Sequence, residues 1–334
     1  MTAKKFLTKT NEINTTGFTM RKVLLSVALS LTAMLAFAQQ DPQFSQNMFI
    51  KLPINPGFAG TNGAICATAA YRTQWVGFPG SPKTILFAMD APVPTLHGGA
   101  GLTIVSDKLG NFGFMHVRGA YSFHKPIGQT GLLGIGLELG ILQASVQYKW
   151  LAPDGTTGDL DAAIPDASVK KMTYDIGFGA YYRTEQLFVG LSSSHLPGKA
   201  ESLKAKEFNY QAARHYYVLA GYDFFLSSTL KLRPSVHVKS DAAVTTFDAN
   251  INLLWNDMVW GGVSYRLQDA IVPLVGFAWS PNQKSTLKIG YSYDLGMSDL
   301  KEHHNNTHEI LLNYCIKFVP KVKTQSHVNP RFLR

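Results

Sequence analysis

Leu133-Gly134-Ile135-Gly136-Leu137-Glu138-Leu139-Gly140-Ile141 alternates without a break between an aliphatic side chain and a glycine or lone carboxylate. A period of two is the period of a strand, so one face is continuously apolar and the other almost bare. In a soluble sandwich or barrel the apolar face turns into a dry core, and Lys and Glu cover the outside. Here the polar face is too small and too weakly charged for such an exterior. Phe247, Ala249, Ile251, Leu253 and Trp255 likewise alternate with Asp248, Asn250 and Asn252. Val263, Tyr265 and Leu267 alternate with Ser264, Arg266 and Gln268; Leu287, Ile289, Tyr291 and Tyr293 alternate with Lys288, Gly290, Ser292 and Asp294. Strands with one face in lipid and a small polar face in a lumen read this way.

Segments of this kind fall near 63–72, 83–90, 98–106, 113–124, 131–146, 172–183, 186–194, 214–226, 229–239, 245–255, 258–267, 271–280, 285–295 and 307–318. They make about fourteen strands, an even number as bacterial barrels require. Even-numbered connections are short, as at Thr184-Glu185, Ser227-Ser228 and Asn256-Asp257. Several odd-numbered ones are long: Thr73 to Pro82, Gln147 to Lys171, His195 to Ala213 and Gly296 to Asn306. Those after strands 3, 9 and 11 are short exceptions. Short periplasmic turns and longer surface loops give this asymmetry to a chain that starts in the periplasm. In the last segment Ile310, Leu312, Tyr314, Ile316 and Phe318 line one face, and Glu309, Asn313, Cys315 and Lys317 the other. The expected fold is an all-β transmembrane antiparallel β-barrel with short periplasmic turns and longer surface loops.

Composition agrees. Charged residues are 16% of the 334-residue chain, against about 25% in soluble domains, and aromatics reach 12%. Met20-Arg21-Lys22, the uncharged run Val23 to Phe37 and the A-x-A site Ala36-Phe37-Ala38 read as a secretory signal peptide cleaved after Ala38. Residues 1–19 read as an upstream extension, with Met20 a second candidate start. The apolar run is short for a membrane-spanning helix. Removing residues 1–38, with five basic groups and one acidic group, lowers the formal net charge from +9 to +5. That excess is ordinary surface chemistry, and no nucleic-acid-binding module accompanies it. The expected organisation is 1–38 extension and signal peptide, 39–62 an irregular periplasmic segment, 63–318 the barrel, and 319–334 a basic periplasmic tail.

Two blocks are not explained by alternation. The first is Gln40-Asp41-Pro42-Gln43-Phe44-Ser45-Gln46-Asn47-Met48-Phe49, continuing to Ile54-Asn55-Pro56-Gly57-Phe58-Ala59-Gly60-Thr61. The second is Tyr71-Arg72-Thr73-Gln74-Trp75-Val76-Gly77-Phe78-Pro79-Gly80-Ser81-Pro82-Lys83-Thr84. In order and spacing they resemble the opening of the PorP/SprF family: QDPxFSQ, an NPAxAG-like turn, then YRxQWxGxxGxPxT. Asn47 stands where the family often has Tyr, and Gly57-Phe58 where it often has Ala-Tyr. The resemblance implies an integral outer-membrane protein of Bacteroidota serving the type IX secretion system and gliding machinery. It implies partners too: a large secreted adhesin-like client, and other type IX secretion or periplasmic anchoring components. The motif positions it marks for partner contact or loop anchoring are Asp41, Pro42, Phe44, Ser45, Gln46, Asn55, Pro56, Gly60, Tyr71, Arg72, Gln74, Trp75, Gly77, Gly80, Pro82 and Thr84.

Physical reading of the same blocks gives a turn at Asn55-Pro56-Gly57, with glycine free to adopt positive φ. It gives apolar anchors at Phe44, Met48, Phe49 and Phe58 that could fold residues 39–62 into the periplasmic mouth as a partial plug. Arg72 and Trp75 are near enough in sequence for a cation–π pair. Cys66 is early in strand 1 and Cys315 late in strand 14, which barrel closure makes neighbours. A seam disulfide forms if their Cα atoms fall within about 7 Å; otherwise they are two unpaired small residues.

Catalytic signatures are missing from the sequence: it has neither G-x-S-x-G nor H-E-x-x-H. Gly134-Ile135-Gly136 sits on a strand, where it cannot cradle a phosphate. His303, His304 and His308 with Glu302 and Glu309 fix no closed ligand shell and read as a polar loop. No enzyme activity, cofactor, metal or nucleic-acid partner is expected. The rival functions are a diffusion porin and a hydrophobic-solute transporter. The latter would want an apolar lumen, and the inward faces are mostly Gly, Ser, Asn and charge.

Overall fold

The computed structural model describes residues 41–147, 169–198, 212–282, 284–297 and 306–317. The signal peptide, Gln39, Phe318, the basic tail and the loop residues Glu302, His303 and His304 lie outside them. The strands are β1 (Ala64–Thr73), β2 (Lys83–Val93), β3 (Gly98–Leu109), β4 (Phe112–Ile127), β5 (Gly131–Val146), β6 (Val169–Arg183) and β7 (Leu187–Ser194). Then come β8 (His215–Tyr222, continued by Phe224–Phe225), β9 (Leu230–Ser240), β10 (Thr245–Trp255), β11 (Val259–Arg266), β12 (Ala270–Asn282), β13 (Ser285–Gly296) and β14 (Thr307–Lys317). Every neighbour is antiparallel, and β1 pairs with β14 from Ala64 opposite Lys317 to Thr73 opposite His308. The sheet therefore closes into a barrel of fourteen strands, which leaves no edge for aggregation. Among the described residues no helix is long and apolar enough to cross a membrane; the strands do it.

The alternation read from the sequence is the alternation of the wall. On β5, Ile135, Leu137, Leu139 and Ile141 are about half exposed on the outside, while Glu138 is buried within. On β14, Ile310, Leu312, Tyr314 and Ile316 face out, whereas Glu309 is fully buried. A band of outward Leu, Ile, Val, Phe, Tyr and Trp around a polar interior suits lipid and would be untenable in water. The strands β3 and β4 run beyond the apolar alternation. Their ladder continues to Leu109–Phe112, and β4 also pairs with β5 down to Ile127–Gly131. Backbone pairing there needs no membrane-facing pattern. Strand β8 breaks at Asp223, whose carboxylate turns to the Arg233 guanidinium on β9.

Cys66 and Cys315 are directly opposite in the β1–β14 register, and a disulfide joins them with Cα atoms 4.1 Å apart. It lies toward the end of the barrel that carries the short turns. The opposite end carries the long connections.

Candidate functional site

Residues 41–62 lie inside the barrel. The sequence suggested a periplasmic segment at the mouth, but the described part runs the height of the lumen. Asn62 leads into β1 at the turn end, whereas Asp41 touches His195, His215 and Lys239, all beside connections at the long-loop end. Depth in a lumen is set by which strand residues the segment meets, and alternation carries no record of that.

The strands make room by omitting side chains. A Cβ on Gly136 would overlap Pro56, and one on Gly134 or Gly179 would overlap Gly57 or Asn55. The bare inward face of β5 is thus the groove for Pro56–Phe58, one turn of 3-10 helix. Asn55 caps that turn by accepting from the Gly57 amide at 2.8 Å, while its own amide donates to Ala180 O and Leu191 O at 3.0 and 3.1 Å. Turn chemistry cast Gly57 as a positive-φ residue. The structure gives it a different role: an added Cβ would sit 2.8 Å from Gly134 O and 2.9 Å from Tyr181 N. Positive φ occurs at Gly60, φ 71°, where a Cβ would also press on Ala91 and Gly99. Phe44, Ile50, Leu52, Ile54 and Phe58 pack with wall residues such as Leu86, Val105, Leu219 and Leu311. Met48 and Phe49 pack near Trp260 and Leu274.

An ionic cluster holds the upper half. The Arg72 guanidinium reaches Asp294 at 2.7 Å and Glu309 at 3.2 Å, and also donates to the Ser45 hydroxyl. Arg266 bridges Asp248 at 2.9 Å and Asp294 at 3.1 Å. Glu309 accepts the backbone amides of Ser45 and Gln46, each at 2.8 Å. Asp248 accepts Gln43 and Asn47 side chains. Buried charges persist only when paired and hydrogen-bonded; here the wall residues pair with one another, and the segment supplies further hydrogen bonds. Arg72 is therefore committed inward, and its guanidinium contacts are carboxylates and a hydroxyl.

Two further anchors flank this cluster. Arg118 pairs with Glu138 at 2.9 Å and donates to Pro53 O. At the start of the segment, Asp41 Oδ1 lies 2.9 Å from His195 Nε2, while Asp41 Oδ2 accepts the Tyr217 hydroxyl. His195 Nδ1 lies 3.0 Å from Asp175. Burial alone would raise the Asp41 carboxyl, but His195, with His215 and His116 behind it, holds it well below the usual carboxylate range. Burial alone would lower the His195 imidazole, but Asp41 and Asp175 raise it to about 10. Lower down, Lys51 Nζ sits 3.5 Å from the Phe188 ring centroid and donates to Tyr181 at 3.1 Å.

The motif positions thus divide in two. Asp41, Phe44, Ser45, Gln46, Asn55, Pro56, Gly60 and Arg72 converge within the lumen. Pro42 lies with them beside the lumen cavity; Tyr71 points outward, Thr84 stands on β2, and Gln74, Trp75, Gly77, Gly80 and Pro82 fold the first long connection. Gln74 N donates to Pro82 O, Trp75 N to the Thr307 hydroxyl, and Thr84 to Asp107. Gly77 and Gly80 have φ of 91° and 76°. Sequence reading missed His116, Asp175, His195, His215, Tyr217 and Lys239. Their signal was available: polar groups toward the long-loop ends of strands whose other face is apolar. His308 faces the Tyr291 hydroxyl on the outside, apart from the buried cluster.

Among the cavities bordered by described residues, two flank the segment and share no lining residue. One, of about 30 Å³, lies between the segment and the wall beside Asp41, His116, Tyr217 and His237. The other, of about 280 Å³, opens at the turn end beside Lys51, Arg183, Lys288 and the disulfide.

Similar proteins bear on this geometry. The family profile described as type IX secretion system membrane protein PorP/SprF matches residues 36–314. No curated protein matches the sequence. Among solved structures, the CymD monoaromatic hydrocarbon channel is similar at 11% identity and TM-score 0.49, covering 85% of this chain and 95% of that one. The Pseudomonas putida toluene transporter TodX is similar at 10% identity and TM-score 0.47, covering 83% and 95%. A Pseudomonas aeruginosa FadL homologue is similar at 12% identity and TM-score 0.43, covering 77% and 89%. At these identities the likeness is one of fold.

Proposed function

Because the chain belongs to the PorP/SprF family of type IX secretion system membrane proteins, we propose that it is a non-enzymatic outer-membrane component that engages a large secreted adhesin-like client. In this reading it assists the client's export or holds it at the cell surface. The observation that carries the reading is the occupied lumen: residues 44–59 pack across it against the wall, and the remaining cavities are separate. A barrel filled by its own chain is a rigid platform, and recognition then belongs to its loops and mouths. The first long connection, with its exposed Phe78 and the groove beside Gly77 and Gly80, is the surface offered to the client. The cavity at the turn end, lined by acids such as Asp90 and Glu185 as well as by Arg183 and Lys288, faces other secretion or periplasmic anchoring components.

A mild-detergent pull-down of the tagged protein from its native outer membrane, read by mass spectrometry, tests this. Recovery of a large secreted protein or type IX components is expected. A barrel recovered alone that conducts ions in a planar bilayer would instead make it a porin.

A further inference from the structure

We propose that Asp41, His116 and His195 form a binding site for a divalent transition-metal ion, best suited to zinc, that fastens the N-terminal segment to the barrel wall. One ligand atom from each of the three residues lies within 4.8 Å of the others. They come from three separate places: the lumen segment, β4 and the end of β7. Zinc bonds of about 2.0–2.1 Å would draw these atoms together by roughly an ångström. Asp41 and His195 both stand outside the strands, so the shift breaks no ladder pairing.

The surroundings supply what a metal site needs beyond its ligands. Metal-binding imidazoles are oriented through their other ring nitrogen by a carboxylate. Asp175 stands in that place, an ion-pair contact 3.0 Å from His195 Nδ1, though without the angle of a hydrogen bond. The second oxygen of Asp41 is held by Tyr217, which leaves Oδ1 aimed at His195 Nε2. His116 is only 4% exposed, and among the described residues its ring nitrogens have no hydrogen-bond partner. It borders, with Asp41, the cavity of about 30 Å³. A cavity of that size admits about two waters, enough for a fourth ligand. Two imidazoles and one carboxylate suit zinc and its transition-metal neighbours, whereas Mg²⁺ and Ca²⁺ prefer oxygen.

Charge points the same way. Asp41 and Asp175 both face His195, while the nearby Arg118 is committed to Glu138 and the Lys239 ammonium to the Asp41 backbone carbonyl. A dication replacing the proton between Asp41 and His195 balances the two carboxylates, and its binding releases that proton.

The test uses the mature full-length barrel, extracted from outer membranes with a histidine-free tag and stripped with chelator. Zn²⁺ is titrated, retained metal is counted by elemental analysis, and Co²⁺ loading is read by its visible absorption. About one Zn²⁺ per chain is expected, with a tetrahedral Co²⁺ spectrum. Binding should weaken at least tenfold in Asp41→Asn and roughly tenfold to a hundredfold in Asp175→Asn. His116→Gln should lose it, while His308→Gln, on the outer wall, should keep it. Each variant is checked for the folded barrel by heat-modifiable gel migration. If His116→Gln does not fold, Asp41→Asn leaves the wall untouched and decides the matter. No stoichiometric uptake by the wild type, or equal uptake by Asp41→Asn, overturns the proposal and leaves Asp41–His195–Asp175 as a proton-bridged ion triad.

Discussion

Arg72 shows how a single residue joins the two motif blocks. It belongs to the second block and binds Ser45 of the first, together with Asp294 and Glu309 on β13 and β14. Truncation leaves the buried Glu309 carboxylate without its cation and Asp294 with Arg266 alone, a change that costs on the order of 3–5 kcal/mol. Arg72→Met should therefore lower the guanidinium midpoint of the detergent-solubilised barrel, and should expose residues 41–49 to protease. Unchanged stability would mean the carboxylates find other partners. Asn55→Ala removes one cap and two bonds to buried carbonyls, and unmade bonds of that kind cost about 1–3 kcal/mol each. None of these roles was legible residue by residue, because a sequence shows that Arg72 or Asp294 faces inward without showing that Ser45 meets both of them.

At the scale of the element, the strands were legible and the segment was not. Alternation on β5, β10 and β14 gave the faces correctly, since lipid on one side and a lumen on the other is what period two records. Strand ends were less visible, because ladder pairing on β3–β5 continues past the lipid-facing pattern. The glycines of β5 were seen as a bare face; the groove they make for Pro56–Phe58 required the fold. Gly136→Val should push that turn out of its groove, as the added side chain would overlap Pro56. Faster proteolysis of residues 41–62 with the barrel still heat-modifiable is the expected result; unchanged protection would show that the segment finds room elsewhere.

The β1–β14 seam carries the other element-scale prediction. Non-reducing thiol labelling of the unfolded protein should find Cys66 and Cys315 unreactive, and labelling of both would remove the bond. Its loop spans 249 residues, for which chain-entropy reasoning sets an upper stabilisation on the order of 5 kcal/mol. The β1–β14 ladder already holds these ends, so Cys66→Ser with Cys315→Ser should still form a barrel.

At the scale of the whole molecule, the protein is a membrane barrel filled by its own N-terminal segment, and the proposed role is that of a platform for protein partners. Its class, strand number and loop asymmetry followed from alternation and spacing. Its family followed from two strings that no generic barrel requires. The filling of the lumen followed from neither, because the phenylalanines that block it look in sequence like anchors at a mouth. Conductance in a planar bilayer tests the central claim most directly. The wild-type barrel should show no steady single-channel current, and Gly136→Val should show openings as the segment loosens. A stable, ohmic current through the wild type would mean that the lumen is a pore and that the platform reading is wrong.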